Sequence, residues 1–380
     1  FAVGIGSPVW GKIIPTVGAR FVFLAGAFVS GSCNIMFGFL IYMPTEATFT
    51  GFSFVIRLLE GLGTSACWTA SSTIVAFAFP DNIGTALSMV EMASGLSLAI
   101  GPAIGGLLYN AGGFKLPFFV LGGLVLAIDA VNFFLMPKQG NKDEKPGSLR
   151  QVLKIPAICV TLLAVIVASL AISSIDPTLS IHLDQLNFTV IQTSLVFFSL
   201  GFAYMIFSVV WGAVADAKKT TRTLITCGLL GTVVFFLLLG PCPLLKIHPS
   251  KWLAGLVVPF GASMIAMVAM PTFVDMFTSA EWHGIPDGLG LTALISGLWN
   301  GGFGIGVTIG PVIGSSLTES FGFAWMSSVV AGCCLLVLVV FLPFAIWEYR
   351  CGKGRRVPRS RVGLEASGEA ESSQLLPNEA

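Results

Sequence analysis

Long apolar stretches alternate with short polar ones along almost the whole chain. A helix that crosses a bilayer needs about 20 mostly apolar residues, and eleven apolar stretches precede the polar C-terminal tail. Because most of these stretches are too long for strands, the pattern predicts a polytopic membrane protein built from α-helices. The predicted spans are residues 1–14, 21–43, 49–76, 84–108, 116–137, 155–183, 191–213, 223–243, 251–276, 289–317 and 321–348.

Two polar stretches interrupt this pattern and divide the chain. One includes the sequence NKDEKPGSLR and separates the fifth apolar run from the sixth, and the other follows Trp347. The expected division is a first helical half over residues 1–137, a linker over 138–154, a second helical half over 155–348 and a tail over 349–380.

The distribution of basic residues predicts the orientation of the spans. Short cytosolic loops of membrane proteins carry more Lys and Arg than the loops on the opposite side. With the linker in the cytosol, sixteen of the 20 Lys and Arg residues fall on that side, and only Lys115, Lys246 and Lys251 fall on the other. We therefore expect the sequence to start on the outer or lumenal side and the tail to lie in the cytosol.

Composition narrows the class of protein further. Hydrophobic residues make up 55% of the chain and charged residues 10%, with 44 glycines; this excludes a secreted enzyme, a coiled coil and a disordered chain. The lipid bilayer is the expected partner, and a net charge of +1 predicts no nucleic-acid partner. No nucleophile–base pair, metal-ligand cluster or phosphate loop occurs, so we expect no cofactor, no metal site and no enzyme activity.

Two short motifs recur in the second half of the chain. Val9-Trp10-Gly11 is repeated as Val210-Trp211-Gly212, and residues 100–105 (IGPAIG) are repeated at 309–314 (IGPVIG). Chance matching of glycine-rich helices explains one such pair, but two pairs in register indicate an internal repeat. Two repeated halves joined by one long loop resemble the major facilitator superfamily. That resemblance implies two pseudo-symmetric six-helix halves, with the first helix of the first half missing from this sequence.

Ionisable residues inside the predicted spans are the main candidates for chemistry, because a charge at bilayer depth costs about 2.5–3.5 kcal/mol. Arg57 and Glu60 lie three residues apart on one helix face and can form an ion pair. Glu91, Asp129 and Asp176 have no evident basic partner in the spans. An excess of carboxylates suits a cationic substrate and exchangeable protons. The alternatives are a capping or packing role for Glu91 and, for Asp176, a side chain that reaches the lumenal surface.

Other residues resemble the gating motifs of the same superfamily. The segment from Gly11 to Arg20 resembles its cytosolic gating loop, although Pro15 replaces the usual aspartate, and the second copy keeps this aspartate as Asp216. Gly101 and its neighbouring proline resemble the antiporter signature, with plain helix packing as the alternative. For Asp216 and Asp275, near the cytosolic face, solvation is the alternative to gating. The candidate gating residues are Gly11, Arg20, Asp216, Asp275, Gly101, Pro102, Gly310 and Pro311.

Four segments resemble the vesicular amine transporters of solute carrier family 18. They are residues 175–179 (IDPTL), the segment from Phe188 onward, Val274 with Asp275, and residues 116–121 (LPFFVL) leading to Asp129. The resemblance covers essentially the whole membrane part. It implies that Asp129, Asp176 and Asp275 take the places of acidic residues important for amine exchange.

The sequence also departs from the monoamine members of that family. They carry an aspartate where this chain has Asn300, and this chain adds Glu91. These departures make it most similar to the branch described as vesicular polyamine transporters. Arg57 and Glu60 match the fourth-span motif that the superfamily links to proton coupling.

The resemblance implies a proton-coupled antiporter that loads polyamines such as spermine and spermidine, or related organic amines including monoamines, into acidic vesicles. The alternatives are an uncoupled facilitator of another amine or small solute, and a membrane scaffold or sensor that does not transport. Aromatic side chains hold organic cations by cation–π contact. Trp68, Tyr204 and Trp299 are the candidates for this role, with packing as the alternative.

The tail carries a candidate sorting signal. Glu371 precedes the pair Leu375 and Leu376 by four residues, which resembles the dileucine signal that clathrin adaptors bind; a chance match in a disordered tail is the alternative. We therefore expect a multi-pass protein of secretory or synaptic vesicles, or of lysosome-related organelles.

Overall fold

The computed structural model describes residues 1–136, 148–218, 220–240 and 250–351, and all regular structure in these ranges is helical. A short 3₁₀ helix covers Leu40–Tyr42. The α-helices are α1 (Ala2–Val17), α2 (Ala19–Phe39), α3 (Glu46–Ala78), α4 (Ile83–Gly112), α5 (Lys115–Leu135), α6 (Leu149–Leu153), α7 (Pro156–Gln185), α8 (Val190–Lys218), α9 (Thr221–Leu239), α10 (Lys251–Trp282), α11 (Leu289–Phe321) and α12 (Phe323–Cys351).

Each of the eleven predicted spans corresponds to one long helix, α1–α5 or α7–α12. The largest difference in a boundary is at α10, which continues to Trp282 rather than ending near residue 276. Ser279 and Ala280 in this extension are buried by neighbouring helices, so the helix extends past its apolar run. The short helix α6 lies in the predicted linker, where Val152 is 1% exposed.

Length and composition alone identify fewer spans than the pattern predicted. Within the described ranges, eight helices are long and apolar enough to cross a membrane, and α4 is a ninth if residues 83–97 and 99–112, which meet at 41°, form one span. The 16 residues of α1 measure about 24 Å, short of the bilayer core. The other predicted span that length and composition do not identify is α3, which contains the charged residues Arg57 and Glu60.

Local sequence sets where several helices begin and end. Thr45 forms a capping box with Thr48 at the start of α3, and the Ser250 hydroxyl accepts a hydrogen bond from the Leu253 amide at the start of α10. Gly18, at φ 99°, and Gly322, at φ 85°, occupy backbone conformations that favour glycine. Each therefore reverses the chain between two helices with a single residue.

The long helices form two groups that meet along two seams. We call α1–α5 the first group and α7–α12 the second group. At the α1–α11 seam and at the α4–α8 seam, small residues let the helix backbones approach closely. The facing glycines are Gly4 with Gly304 and Gly11 with Gly297 at the α1–α11 seam, and Gly84 with Gly212 and Gly95 with Gly201 at the α4–α8 seam.

Candidate functional site

A cavity of about 380 Å³ lies between the two groups, within the size range of small-molecule sites. The first group contributes α4 to its wall, and the second contributes α7, α8, α10 and α11. Its lining is mostly apolar. The acidic and serine side chains in the lining are Glu91, Ser94, Ser97, Ser169, Ser173 and Asp176.

Glu91 and Tyr204 face each other across the α4–α8 seam within this cavity. The Tyr204 hydroxyl lies close enough to the Glu91 carboxylate to interact with it electrostatically. Tyr204 is only 6% exposed, so its ring is fixed by its surroundings. The structure therefore brings together a carboxylate and an aromatic residue that the sequence placed on different spans.

Asp176 is the second carboxylate of the cavity. It belongs to α7 and immediately precedes Pro177, which lies inside that helix. No described residue makes a hydrogen bond or ion pair with the Asp176 side chain. Its carboxylate is thus available to a ligand, rather than being committed to a structural ion pair.

The serines of the cavity present hydrogen-bond acceptors. Ser169 donates its hydroxyl to the Val165 carbonyl at 2.9 Å, and Ser173 donates to the Ser169 carbonyl at 2.7 Å. Ser97 likewise donates to the Ser94 carbonyl at 2.7 Å. Since these hydroxyl protons are directed at backbone carbonyls, the hydroxyl lone pairs remain for a ligand.

The described residues that line the cavity include no Lys, Arg or His. The polar part of the wall therefore combines two carboxylates with serine oxygens that act as acceptors. A carboxylate that faces a mostly apolar cavity favours a cationic or hydrogen-bonding partner. Such a wall favours a ligand that is positively charged and rich in N–H donors.

An aromatic chain extends from the cavity to both groups. Phe303 lines the cavity and stacks on Trp299, with ring centroids 5.7 Å apart and planes at 13°. Trp68 of α3 meets the edge of Phe303 at 6.5 Å, and Phe273 meets Trp299 at 6.2 Å. Of the three predicted aromatics, Tyr204 lines the cavity, whereas Trp68 and Trp299 lie behind Phe303. Phe303 was not among the aromatic residues predicted from the sequence to hold a cation.

Arg57 and Glu60 form the predicted ion pair at 2.7 Å, but they lie outside the cavity lining. Asn34 of α2 donates to the other Glu60 oxygen at 2.8 Å. The Arg57 guanidinium lies 4.0 Å from the centroid of the Phe37 ring. This cluster therefore connects α2 and α3 inside the first group, apart from Glu91 and Asp176.

Asp129 also lies outside the lining, on α5. Its Oδ1 atom is buried, and no described group hydrogen-bonds to that atom. Cys67 of α3 is close enough to interact electrostatically with it. The structure thus leaves Asp129 unpaired, as the sequence indicated, but separates it from the two carboxylates of the cavity.

Asp216 closes one end of the α4–α8 seam. Its carboxylate, at the end of α8, accepts hydrogen bonds from the Gly84 amide at 2.9 Å and the Thr85 amide at 2.6 Å. The Thr85 hydroxyl donates to it at 2.7 Å. A carboxylate at a helix N-terminus pairs with free amides and with the positive end of the helix dipole. We call these contacts the Asp216 latch.

Asp275 is buried, at 2% exposure, so solvation, the alternative considered for it, is wrong. Arg222 of α9 pairs with Asp275 at 3.1 Å and also with Glu348 of α12. The hydroxyls of Thr161 and Thr221 donate to Asp275 at 2.8 and 3.0 Å. Asp275 therefore connects α7, α9 and α10 within the second group, and Arg222 extends the cluster to α12.

The remaining gating candidates of the first copy lie on α1 and α2. Gly11 packs against Ala293 and Gly297 of α11. Arg20 donates to the Phe133 carbonyl, and its guanidinium lies 5.6 Å from the Phe133 ring centroid. Along the sequence, Gly11 precedes and Arg20 follows the turn between α1 and α2.

The two Gly-Pro motifs differ in their surroundings. Gly310, before Pro311 in α11, packs against Leu170 and Ser173 of α7. A Cβ atom placed on Gly101, before Pro102 in α4, would meet no described atom within 4 Å. The repeated motif is therefore tightly packed in its second copy only, within the described residues. The predicted sorting residues Glu371, Leu375 and Leu376 lie outside the described ranges.

Known proteins similar to this chain are membrane transporters. The Major Facilitator Superfamily model matches residues 1–294 and, in a second match, residues 161–373. The chain is 34% identical over 379 residues to the MFS-type transporter SLC18B1 of Mus musculus, a match that covers 99% of this chain and 82% of the relative. The human protein of that name is 35% identical over 381 residues, covering 99% and 81% of the two chains.

More distant similarity extends to an amine transporter and to a solved structure. The synaptic vesicular amine transporter of Homo sapiens is 23% identical over 353 residues, covering 90% of this chain and 63% of that protein. The crystal structure of the human organic anion transporter MFSD10 (TETRAN) superposes with a TM-score of 0.73 at 17% identity, covering 90% of this chain and 81% of that one; this likeness concerns the fold alone. The chain therefore belongs to the major facilitator superfamily and, within it, to solute carrier family 18.

Proposed function

We propose that this protein is a proton-coupled antiporter that loads polyamines, such as spermine and spermidine, or related organic amines into acidic vesicles. Protons leave the vesicle as the amine enters. The observation that carries this proposal is the cavity between the two groups. Its polar wall consists of the Glu91 and Asp176 carboxylates and serine oxygens, with no basic side chain among its described lining residues.

The exchange follows from the chemistry of carboxylates. A carboxylate compensates its charge by binding either a proton or a cation, and each displaces the other. In the proposal, Asp176 and Glu91 hold the amine on one face of the membrane and protons on the other. No covalent bond is made or broken.

Rocking of the two groups would move the cavity from one face to the other. We propose that the halves at residues 1–137 and 155–348 are the rigid bodies, because glycine seams permit close helices to rotate with little side-chain obstruction. The Asp216 latch would hold one end of the α4–α8 seam closed. Gly101, Pro102, Gly310 and Pro311 would allow the bends that the movement requires.

Similar proteins support the substrate class and the location. One similar protein is named a synaptic vesicular amine transporter, and a resident of vesicles has a proton gradient available. We therefore propose a multi-pass protein of secretory or synaptic vesicles or lysosome-related organelles, with protons and an organic cation as its partners.

Uptake into proteoliposomes tests the function directly. The full chain, reconstituted with an acidic interior, should accumulate radiolabelled spermidine, and dissipating the pH gradient with nigericin should abolish the accumulation. Uptake that survives nigericin would instead indicate an uncoupled facilitator. Absence of uptake for every amine tested, by protein that is folded, would indicate a scaffold or sensor.

Asp176→Asn tests the cavity carboxylate. The amide is nearly isosteric but carries neither charge nor an exchangeable proton, so uptake should fall by more than tenfold. Glu46→Gln is a matched control, because Glu46 is an exposed carboxylate in the first turn of α3. Normal uptake by Asp176→Asn would contradict the carboxylate mechanism.

Asp129→Asn separates proton coupling from amine binding, because Asp129 lies outside the cavity lining. We expect it to abolish uptake driven by a pH gradient while leaving exchange of labelled for unlabelled amine at equal pH. Loss of both activities would place Asp129 in amine binding after all.

A separate experiment tests the candidate sorting signal in the tail. Changing Leu375 and Leu376 to Ala should move the protein from acidic vesicles to the cell surface, because an adaptor pocket would lose both leucines. Ser372→Ala and Ser373→Ala together provide a control in the same segment. If imaging shows the leucine variant still wholly vesicular, clathrin adaptors do not read this pair.

A further inference from the structure

We propose that Glu91 makes the cavity selective for amines with two cationic ends. One ammonium of the ligand binds Glu91 in the first group of helices, and the other binds Asp176 in the second group. This inference rests on the proposed function for its physiological meaning, but its test uses equilibrium binding alone. The proposed function requires only that the ligand is an organic cation, whereas this inference requires that the ligand carries a second positive charge.

The two carboxylates lie on different bodies. Glu91 belongs to α4, the only helix of the first group among the described elements of the lining, and Asp176 belongs to α7 of the second group. An amine with one ammonium group can satisfy one of them. A ligand with two ammonium groups joined by a chain can satisfy both and connect the groups.

The apolar part of the cavity wall suits such a chain. The other lining residues include Val165, Ala168, Ile172, Ile265 and Val307, which are apolar and suit methylene groups. Serine acceptors accompany each carboxylate. Ser94 lies three residues after Glu91, and Ser173 three residues before Asp176, a spacing that puts each pair on one helix face.

Tyr204 positions the Glu91 carboxylate. Its hydroxyl approaches Glu91 from α8. A carboxylate can accept about four hydrogen bonds, so acceptor sites remain for an ammonium group, which has three donors. Because a tyrosine hydroxyl brings no positive charge, Glu91 still needs a cation as its partner.

A monoamine would leave one carboxylate unsatisfied. A charge-assisted hydrogen bond is roughly twice as strong as a neutral one, so the second ammonium group of a diamine adds a strong contact. We therefore expect a diamine to bind about tenfold or more tightly than the monoamine of equal chain length, which corresponds to about 1.4 kcal/mol or more.

Isothermal titration of the purified full chain with 1,6-diaminohexane and 1-aminohexane measures this preference. The two ligands share six methylene groups and differ in the second amine. The wild type should prefer the diamine about tenfold or more. In Glu91→Gln the two dissociation constants should agree within about twofold, through weaker diamine binding, with 1-aminohexane affinity little changed.

Two further variants protect the test against a folding defect in Glu91→Gln. Glu91→Asp keeps the charge and should retain most of the preference. Tyr204→Phe keeps the ring but removes the hydroxyl, so it should reduce the preference while 1-aminohexane affinity stays constant; a purely structural role would weaken both ligands together. Glu46→Gln is again the control outside the cavity and should behave as the wild type.

The outcomes separate this inference from the proposed function. An unchanged preference in Glu91→Gln, or an equal loss of affinity for both amines, overturns the role of Glu91. A wild type without preference for the diamine overturns it as well. A wild type that prefers the diamine but shows no proton-driven uptake refutes the transport mechanism and leaves the two-ended site intact.

Discussion

The α4–α8 and α1–α11 seams occupy corresponding places in the two repeats but are held by different contacts. Both are lined by facing glycines. At the α4–α8 seam, Asp216 adds three hydrogen bonds to the start of α4, and Tyr204 approaches Glu91 farther along. At the α1–α11 seam, Pro15 stands four residues after Gly11, where the other repeat has its carboxylate.

This difference suggests different mechanical roles. Hydrogen bonds to a carboxylate can break and re-form against water, so the α4–α8 seam is suited to opening at one end. Close backbone packing is short-ranged and is lost once helices separate, so the α1–α11 seam is suited to staying closed as a pivot. The candidate site also borders the α4–α8 seam, where Glu91 and Tyr204 would move apart during opening.

The largest expected effect comes from filling the α1–α11 seam. A Cβ atom on Gly11 would lie 2.5 Å from the Ala293 carbonyl oxygen and 3.1 Å from the Gly297 Cα, and these backbone atoms cannot rotate away. Gly11→Ala should reduce the free energy of unfolding by about 2–3 kcal/mol, measured as a lower thermal midpoint. Gly332→Ala is the control, since its added Cβ meets nothing within 4 Å. Equal midpoints would refute tight packing at this seam.

Breaking the Asp216 latch should have the next largest effect. Asp216→Asn removes the charge that faces the start of α4 and turns one acceptor into a donor, a loss of about 1–2 kcal/mol. The population open at that end should rise roughly five- to thirtyfold, measured by distances between spin labels at residues 82 and 218. Asp287→Asn, an exposed carboxylate just before α11, is the control. An unchanged distance distribution would show that the latch does not hold this seam.

A neutral polar contact also crosses between the groups beside the α1–α11 seam. The Asn300 amide nitrogen donates to the Ser72 hydroxyl at 3.2 Å and to the Ser296 carbonyl at 2.9 Å. Asn300→Asp removes this donor and places a carboxylate beside a carbonyl, which should cost about 1–2 kcal/mol of stability. Ser72→Ala, which removes only the crossing bond, should cost less.

The family resemblance also predicts that Asn300→Asp moves uptake toward aromatic monoamines. An unchanged substrate panel would exclude Asn300 as a selectivity position.

The smallest expected effect comes from adding a latch to the other seam. Pro15→Asp would restore the carboxylate four residues after Gly11, near the N-terminus of α11. A charge at that terminus stabilises the seam by about 0.5–1 kcal/mol, which should raise the thermal midpoint, while uptake should stay within about twofold of the wild type because a pivot does not open. Pro15→Asn provides the matched uncharged variant. Much slower uptake by Pro15→Asp than by Pro15→Asn would contradict the pivot role of this seam.

The helices were predictable from the sequence because the bilayer imposes a length on every apolar run. The isolated carboxylates Glu91 and Asp176 were also identifiable, since an unpaired charge in such a run is rare. The proposal that Arg57 and Glu60 pair is confirmed by their 2.7 Å contact, because the three-residue spacing is local.

What the sequence did not reveal depends on how distant helices meet. Phe303 is one of 31 phenylalanines, and nothing in its neighbourhood distinguishes it from a residue facing lipid or core. In the sequence, Ser173 is indistinguishable from a small residue that packs between helices. Its role as a hydrogen-bond acceptor follows only from the direction of its hydroxyl. Arg222 and Glu348 are 126 residues apart, a separation that no local spacing rule covers.

The stack of Phe303 on Trp299 gives the protein an internal optical reporter. A cation arriving in the cavity would lie near Phe303, which stacks on an indole that is 6% exposed. Indole emission responds to nearby charge, so ligand binding should change the fluorescence of Trp299 without any attached dye. Aqueous iodide would quench the exposed Trp252, at 85% exposure, and spare Trp299. The native tryptophans therefore offer a way to time the arrival of substrate in the site itself.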